Sequence, residues 1–170
     1  IPHPALAEGG PHFVFTGQMD YKPNVDAALR AIERIMPAIR ERHPAAQFHA
    51  VGRSPAPELL ARDGVNGARV WGEVPDVRPF IRGSALMVAP LNIARGTQNK
   101  ILEAMAMGVP VVTSRIAAGG VDAVAPDHFL VGSTPDEYAA EILRVVEDAA
   151  ERGRLSLAGR ARMLSHHGWE

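Results

Sequence analysis

Two charged residues in an otherwise apolar stretch carry most of the chemistry this sequence offers. The run from Arg95 through Gly96, Thr97, Gln98, Asn99, Lys100, Ile101, Leu102 and Glu103 to Gly108 reads as a glycine turn opening a short helix over Gln98–Met107. Gly96 lets the backbone approach a ligand where the helix begins. The free N–H groups and positive dipole end there suit a diphosphate. Lys100 in the first turn opposes that dipole unless an anion sits beside it, and Glu103 offers a carboxylate to a ribose diol. Three residues apart, the two share a helix face. The plainer alternative is a surface ion pair worth about 0.2–0.5 kcal/mol. Lys preceding Glu is the poorer orientation for such a pair, and the flanking Ile101, Leu102, Ala104 and Met105 make a poor solvated face.

The elements that must position this segment alternate along the chain. Apolar strand candidates fall at His12–Thr16, Gln47–Val51, Arg69–Trp71, Leu86–Ala89, Val111–Thr113 and Phe129–Val131, several closed by glycine. Between them lies helical spacing, clearest over Asn24–Arg42, where Val25, Ala28, Leu29, Ile32, Ile35, Met36 and Ile39 form one stripe. Asn24 is the expected N-cap of that helix. Shorter helices are expected over Pro57–Asp63 and Val77–Ile81. A long one is capped by Ser133 or Thr134, and a last one covers Arg154–Leu164. Alternating strands and helices predict a doubly wound α/β fold with a parallel sheet of about six strands. In the order 3-2-1-4-5-6 the switch point lies between strands one and four, so ligands bind where Gly17-Gln18 faces Pro90–Gly96.

Bulk composition removes several classes of function. The 170 residues include 46% hydrophobic and 22% charged, with a net charge of −1, which favours neither nucleic acid nor an anionic membrane. With no cysteine there is no disulfide, thiolate metal site or cysteine nucleophile, and a cytosolic setting fits. No apolar run approaches the roughly 18 residues of a membrane span. There is no Asp-x-Asp pair to hold Mg²⁺ or Mn²⁺, so no metal is expected. Dinucleotide Gly-x-Gly-x-x-Gly, Walker A, Gly-x-Ser-x-Gly and His-Glu-x-x-His patterns are also missing. Residues 1–11, with Gly9, Gly10 and Pro11, read as the remnant of an interdomain linker before a domain over 12–170.

The segment Gly96–Gly108, followed by Val109-Pro110-Val111-Val112, resembles the signature of the large retaining "glycosyl transferases group 1" family. The resemblance continues at Phe15-Thr16-Gly17, at Pro44 with Phe48–Gly52, at Val70-Trp71-Gly72-Glu73-Val74, at Val88-Ala89-Pro90-Leu91 and at Trp169. It is nearest in flavour to bacterial polysaccharide-assembly transferases. It implies one Rossmann-like half of a GT-B fold, the half that binds a nucleoside-diphosphate sugar, working with an N-terminal acceptor domain outside this chain. By position, Lys100 would meet the donor diphosphate and Glu103 the ribose. Gly96, Thr97 and Gln98, with Asn99 beside them, would line phosphate and sugar. Val74 would flank the base, and Arg53 beside Gly52 would approach base or phosphates, across from Gly17. Two positions depart from the family pattern. Arg95 stands where many members have a Glu facing the transferred sugar, and Gln18 replaces a phosphate-binding Arg, leaving Lys22 the only nearby base.

The resulting expectation is a cytoplasmic donor-binding domain, with the cytoplasmic membrane face as an alternative site. It would move sugar to an acceptor in exopolysaccharide or glycan assembly and be inactive as a fragment. A nucleotide-sugar epimerase of related fold and a non-catalytic phosphate-binding α/β module stay open as other readings. Arg115 and the Gly119-Gly120 turn are within reach of the substrate cleft in this topology, with loop filler the favoured reading.

Overall fold

A computed structural model describes residues 1–167. Its centre is a six-stranded, all-parallel sheet in the order β3-β2-β1-β4-β5-β6. The strands are β1 (His12–Thr16), β2 (Gln47–Val51), β3 (Ala68–Gly72), β4 (Leu86–Ala89), β5 (Val111–Ser114) and β6 (Leu130–Gly132). All residues of β1, β4 and β5 are buried, as expected of central strands covered by helices on both faces. Chain order reverses between β1 and β4, whose pairing puts Phe13 opposite Leu86 and Val14 opposite Met87. Both strands therefore end at the same rim, where the crevice of a doubly wound sheet opens.

The helices are α1 (Lys22–Arg30), α2 (Met36–Arg42), α3 (Pro57–Leu60), α4 (Arg78–Arg82), α5 (Asn99–Ala106), α6 (Arg115–Ala118), α7 (Pro135–Glu147) and α8 (Ala149–His167). The stripe expected over 24–42 is buried through Val25, Ala28, Ile32, Ile35, Met36 and Ile39. A π-helical stretch, Ala31–Ile35, joins α1 to α2 just before Pro37. Pro37 has no N–H and its ring crowds the preceding turn, so a wider turn here lets one helical run continue through it.

Three local expectations are corrected. Asn24 is not an N-cap: the helix starts earlier, at Lys22, with Pro23 in its first turn, and Asn24 lies inside that turn. Proline's fixed φ favours the first turn of a helix, which moves the start forward. Strand β6 is one residue later than expected, and α8 starts at Ala149, ahead of Arg154. Asp148 accepts from the backbone N–H groups of Ala150 and Glu151 and so caps α8 there. The cap of α7 is Thr134, which accepts from Glu137 N–H at 3.1 Å. Trp169 lies outside the described residues.

The segment before β1 is tied to the domain at His3, whose N–H donates to the Pro79 carbonyl, and at Gly10, whose N–H donates to the Ala45 carbonyl. His3 stacks on Phe80 (4.3 Å between ring centroids) and meets Trp71 edge-on, and Leu6 is buried. Behind them runs a line of hydrogen bonds inside the domain. Trp71 Nε1 donates to His49 Nδ1 (2.9 Å), His49 Nε2 meets His12 Nδ1 (2.9 Å), and His12 Nε2 reaches the Glu8 carbonyl (2.9 Å). Because an indole only donates, His49 carries its hydrogen on Nε2 and His12 carries its own on Nε2. Burial, and then the neighbouring His12, Arg69 and His3, push the fully buried His49 down to about 3.

Candidate functional site

The rim at the ends of β1 and β4 is built by two glycine turns and the start of α5. Gly17 ends β1 with φ +148°, and a Cβ there would sit 2.7 Å from Asn24 Nδ2. A Cβ on Gly52 would fall 1.5 Å from the Gly17 carbonyl oxygen, so the turns after β1 and β2 touch backbone to backbone. The glycine at position 52 is thus required by Gly17, independent of any ligand. Gly96 has φ +65° with open space around it, a left-handed turn that suits glycine.

The loop that leads into α5 is fixed from three directions. Arg30 of α1 donates to the Pro90 carbonyl at the root of the loop. Buried Gln98 reaches back toward the carbonyls of Arg95 and Gly96, at 3.3 and 3.4 Å. Its own N–H bonds the Gly120 carbonyl, and a Cβ on Gly120 would lie 2.1 Å from the Gly96 carbonyl. The Gly119-Gly120 turn, expected to be filler, is therefore a wall of this loop. The signal was the glycine pair, which a close backbone approach demands. Gln98 makes no side-chain cap, so the first N–H groups of α5 carry no such partner.

Lys100 and Glu103 point to different neighbours, and neither forms an ion pair among the described residues. The surface-pair alternative is not what the structure contains. Lys100 Nζ lies 5.1 Å from the Phe15 ring centroid and 3.4 Å from Asn24 Oδ1. Burial lowers its pKa. Burial likewise raises the Glu103 carboxyl, against the pull of Arg78 and with a smaller push from Asp76. Arg78 is itself locked to Asp76 through Nε and Nη2.

The other expected residues lie around this centre. Arg53 donates through Nη2 to Gln18 Oε1 (3.0 Å), and its carbonyl accepts from Met19 N–H, which seats it beside the Gly17 turn. Thr97 and Asn99 are exposed at the mouth, where a cleft of about 270 Å³ is lined by Tyr21, Asn24, Arg95, Thr97, Asn99 and Lys100, among others. Val74 lies apart from that cleft, in an apolar hollow with Trp71, Pro75 and Phe80. Lys22 pairs with Asp26 at 3.3 Å and is highly exposed, so it is an ordinary surface residue. Sequence reasoning missed Asn24. Its amide is buried and donates to the Gln18 carbonyl at 3.0 Å.

A doubly wound parallel sheet with a polar crevice at its β1/β4 switch point has the Rossmann-like form of one half of a GT-B fold. The profile of the family "Glycosyl transferases group 1" matches residues 10–148, and the chain belongs to that family. Its fold is similar to TarM of S. aureus at TM-score 0.78 and 15% identity, covering 94% of this chain and 33% of TarM. It is similar to HepE of Anabaena, solved in complex with UDP-glucose, at 0.75 and 14%, covering 95% and 45%. It is also similar to WaaG, a glycosyltransferase involved in lipopolysaccharide biosynthesis, at 0.75 and 17%, covering 97% and 45%. The chain thus spans less than half the length of each of these proteins. No curated protein matches it by sequence.

Proposed function

We propose that this domain binds the nucleoside-diphosphate sugar of a group 1 glycosyltransferase, the diphosphate at the start of α5 and the ribose at Glu103. One observation carries the reading. Beyond the Gly96 turn, an uncapped helix N-terminus stands beside a half-buried ammonium and a half-buried carboxylate, each without an ion-pair partner among the described residues. An anion on the α5 N–H groups would meet Lys100, and a diol would satisfy Glu103. Gly17, Gly52 and Arg53 form the opposite lip, and Val74 is assigned to the base side.

The donor site works without a metal in this reading. The cleft holds Lys100 and Arg95, and no carboxylate lines it among the described residues. Glycosyl transfer needs an acceptor held against the donor, which can supply several kcal/mol of the barrier. We assign that wall to an N-terminal domain of the full protein. The role is in bacterial polysaccharide or glycan assembly, on the cytoplasmic side where nucleotide sugars are made. HepE, solved with UDP-glucose, makes UDP the first probe.

The test is calorimetric titration of the chain with UDP, GDP and ADP, each with and without its sugar, in excess EDTA. Binding of one diphosphate persisting in the chelator is the expected outcome. Absence of binding with all three, with and without Mg²⁺, overturns the reading.

A further inference from the structure

The sequence pattern predicts Asn24 as a helix cap, and the structure gives it no capping role. Its amide is buried, at 6% exposure, in the first turn of α1. On one side it donates to the Gln18 carbonyl (3.0 Å), fixing the turn after β1. On the other it faces Lys100 Nζ at 3.4 Å across 76 residues of sequence. Gly17 lies between, with no room for a side chain: a Cβ there would meet the Asn24 amide at 2.7 Å and Lys100 Cε at 3.3 Å.

We propose that Asn24 is a positioning residue for the anion site, holding the Lys100 ammonium at the mouth of β1 without neutralising it. This rests on the donor-site reading above. The choice of an amide is the point. Aspartate has the same shape and would supply a carboxylate to the ammonium, pairing the charge that an incoming diphosphate needs. A hydrophobic side chain would leave the Gln18 carbonyl and the ammonium without a partner in a half-buried place. An amide oxygen orients the ammonium and leaves its charge free. The other ionisable groups lining this cleft are Tyr21 and Arg95. Lys22 and Asp26 on α1 pair with each other, and Glu103 on α5 faces Arg78 and Asp76. Burial of Lys100 without a carboxylate keeps its pKa below the ordinary lysine value.

The test compares Asn24→Asp and Asn24→Ala with the unaltered chain. The readouts are UDP and uridine affinity, the alkaline limb of UDP binding, and the Lys100 titration followed by ¹³C NMR in the free protein. Asn24→Asp is expected to raise the Lys100 titration, move the alkaline limb to higher pH and weaken UDP at least tenfold. Uridine affinity should change less than twofold. Asn24→Ala is expected to weaken UDP about threefold or more while leaving the alkaline limb near its original place. A merely structural Asn24 would lower thermal stability in both variants and leave the Lys100 titration where it was, which overturns the proposal. If Asn24→Asp does not fold, Asn24→Ala decides: UDP affinity unchanged in that folded variant rejects the role. Failure of the unaltered chain to bind UDP, GDP or ADP rejects the donor-site reading instead, and the free-protein titration still reports on the Asn24–Lys100 contact.

Discussion

His49 offers a pH dependence whose size follows from its surroundings. It is fully buried between Trp71 Nε1 and His12 Nδ1, and it is held down to about 3 against an ordinary 6.5. Unfolding returns it to the ordinary value, so as pH falls the unfolded chain takes up the proton first. The stability from this group is complete above 6.5 and drains as pH falls toward 3. The slope is about 1.4 kcal/mol per pH unit, so roughly 2 kcal/mol is lost between pH 6.5 and about pH 5. Few other groups disturb that window. Asp76, Glu147 and Glu151 are lowered by hydrogen-bonded Arg or His partners and lose their contribution at lower pH, and Glu103 is raised and acts with the opposite sign. His128 is lowered too, chiefly by burial, and stays in every variant compared. Urea unfolding at pH 7.5, 6.5, 6.0, 5.5 and 5.0 on the unaltered chain and on His49→Gln measures the difference. Glutamine keeps an acceptor for Trp71 and a donor for His12 but does not titrate. The variant should therefore lose about 2 kcal/mol less over that window. Parallel pH profiles for the two proteins would refute the assignment of His49 as a buried neutral link.

Glu103→Gln should keep the fold and weaken UDP binding by about 1–3 kcal/mol by calorimetry, the cost of exchanging charge-assisted hydrogen bonds to a diol for neutral ones. Unchanged affinity with a lower melting temperature would make Glu103 structural. Lys100→Ala should weaken UDP far more than uridine, since the ammonium is assigned to phosphate; equal losses for both would remove that assignment. Gly52→Ala should destabilise the chain by roughly 1–3 kcal/mol or more in urea, because its Cβ would stand 1.5 Å from the Gly17 carbonyl. A variant as stable as the original would mean the two turns do not touch.

The fold was legible because its signals are local. Buried central strands such as Phe13–Phe15 and Met87–Ala89 give unbroken apolar runs, and the 24–39 stripe has helical spacing. Gly96, Lys100 and Glu103 stand out in the sequence for the same reason, since one turn and the short helix that follows it hold all three. What depends on contacts across the sequence was not. Asn24 looked like a cap from its neighbours, yet its partners are Gln18 and Lys100. The Gly119-Gly120 turn gained meaning only from the Gly96 carbonyl pressed against it. The contact of Gly52 with the Gly17 carbonyl, 35 residues away in sequence, is likewise invisible to local pattern. The His12–His49–Trp71 line joins three strands, and no spacing within one segment announces it.

The central claim is a location: a nucleoside diphosphate on the start of α5, facing the turn after β1. Backbone amide ¹H–¹⁵N spectra of the labelled chain, titrated with UDP in excess EDTA, test it most directly. The largest shifts are expected on Gly17, Gln18 and the amides of 96–100, with a second group around Glu103. Lys100→Ala should abolish the first group. Shifts confined to the apolar hollow at Trp71 and Phe80, or to the opposite end of the sheet near Gly108 and Arg152, would contradict it.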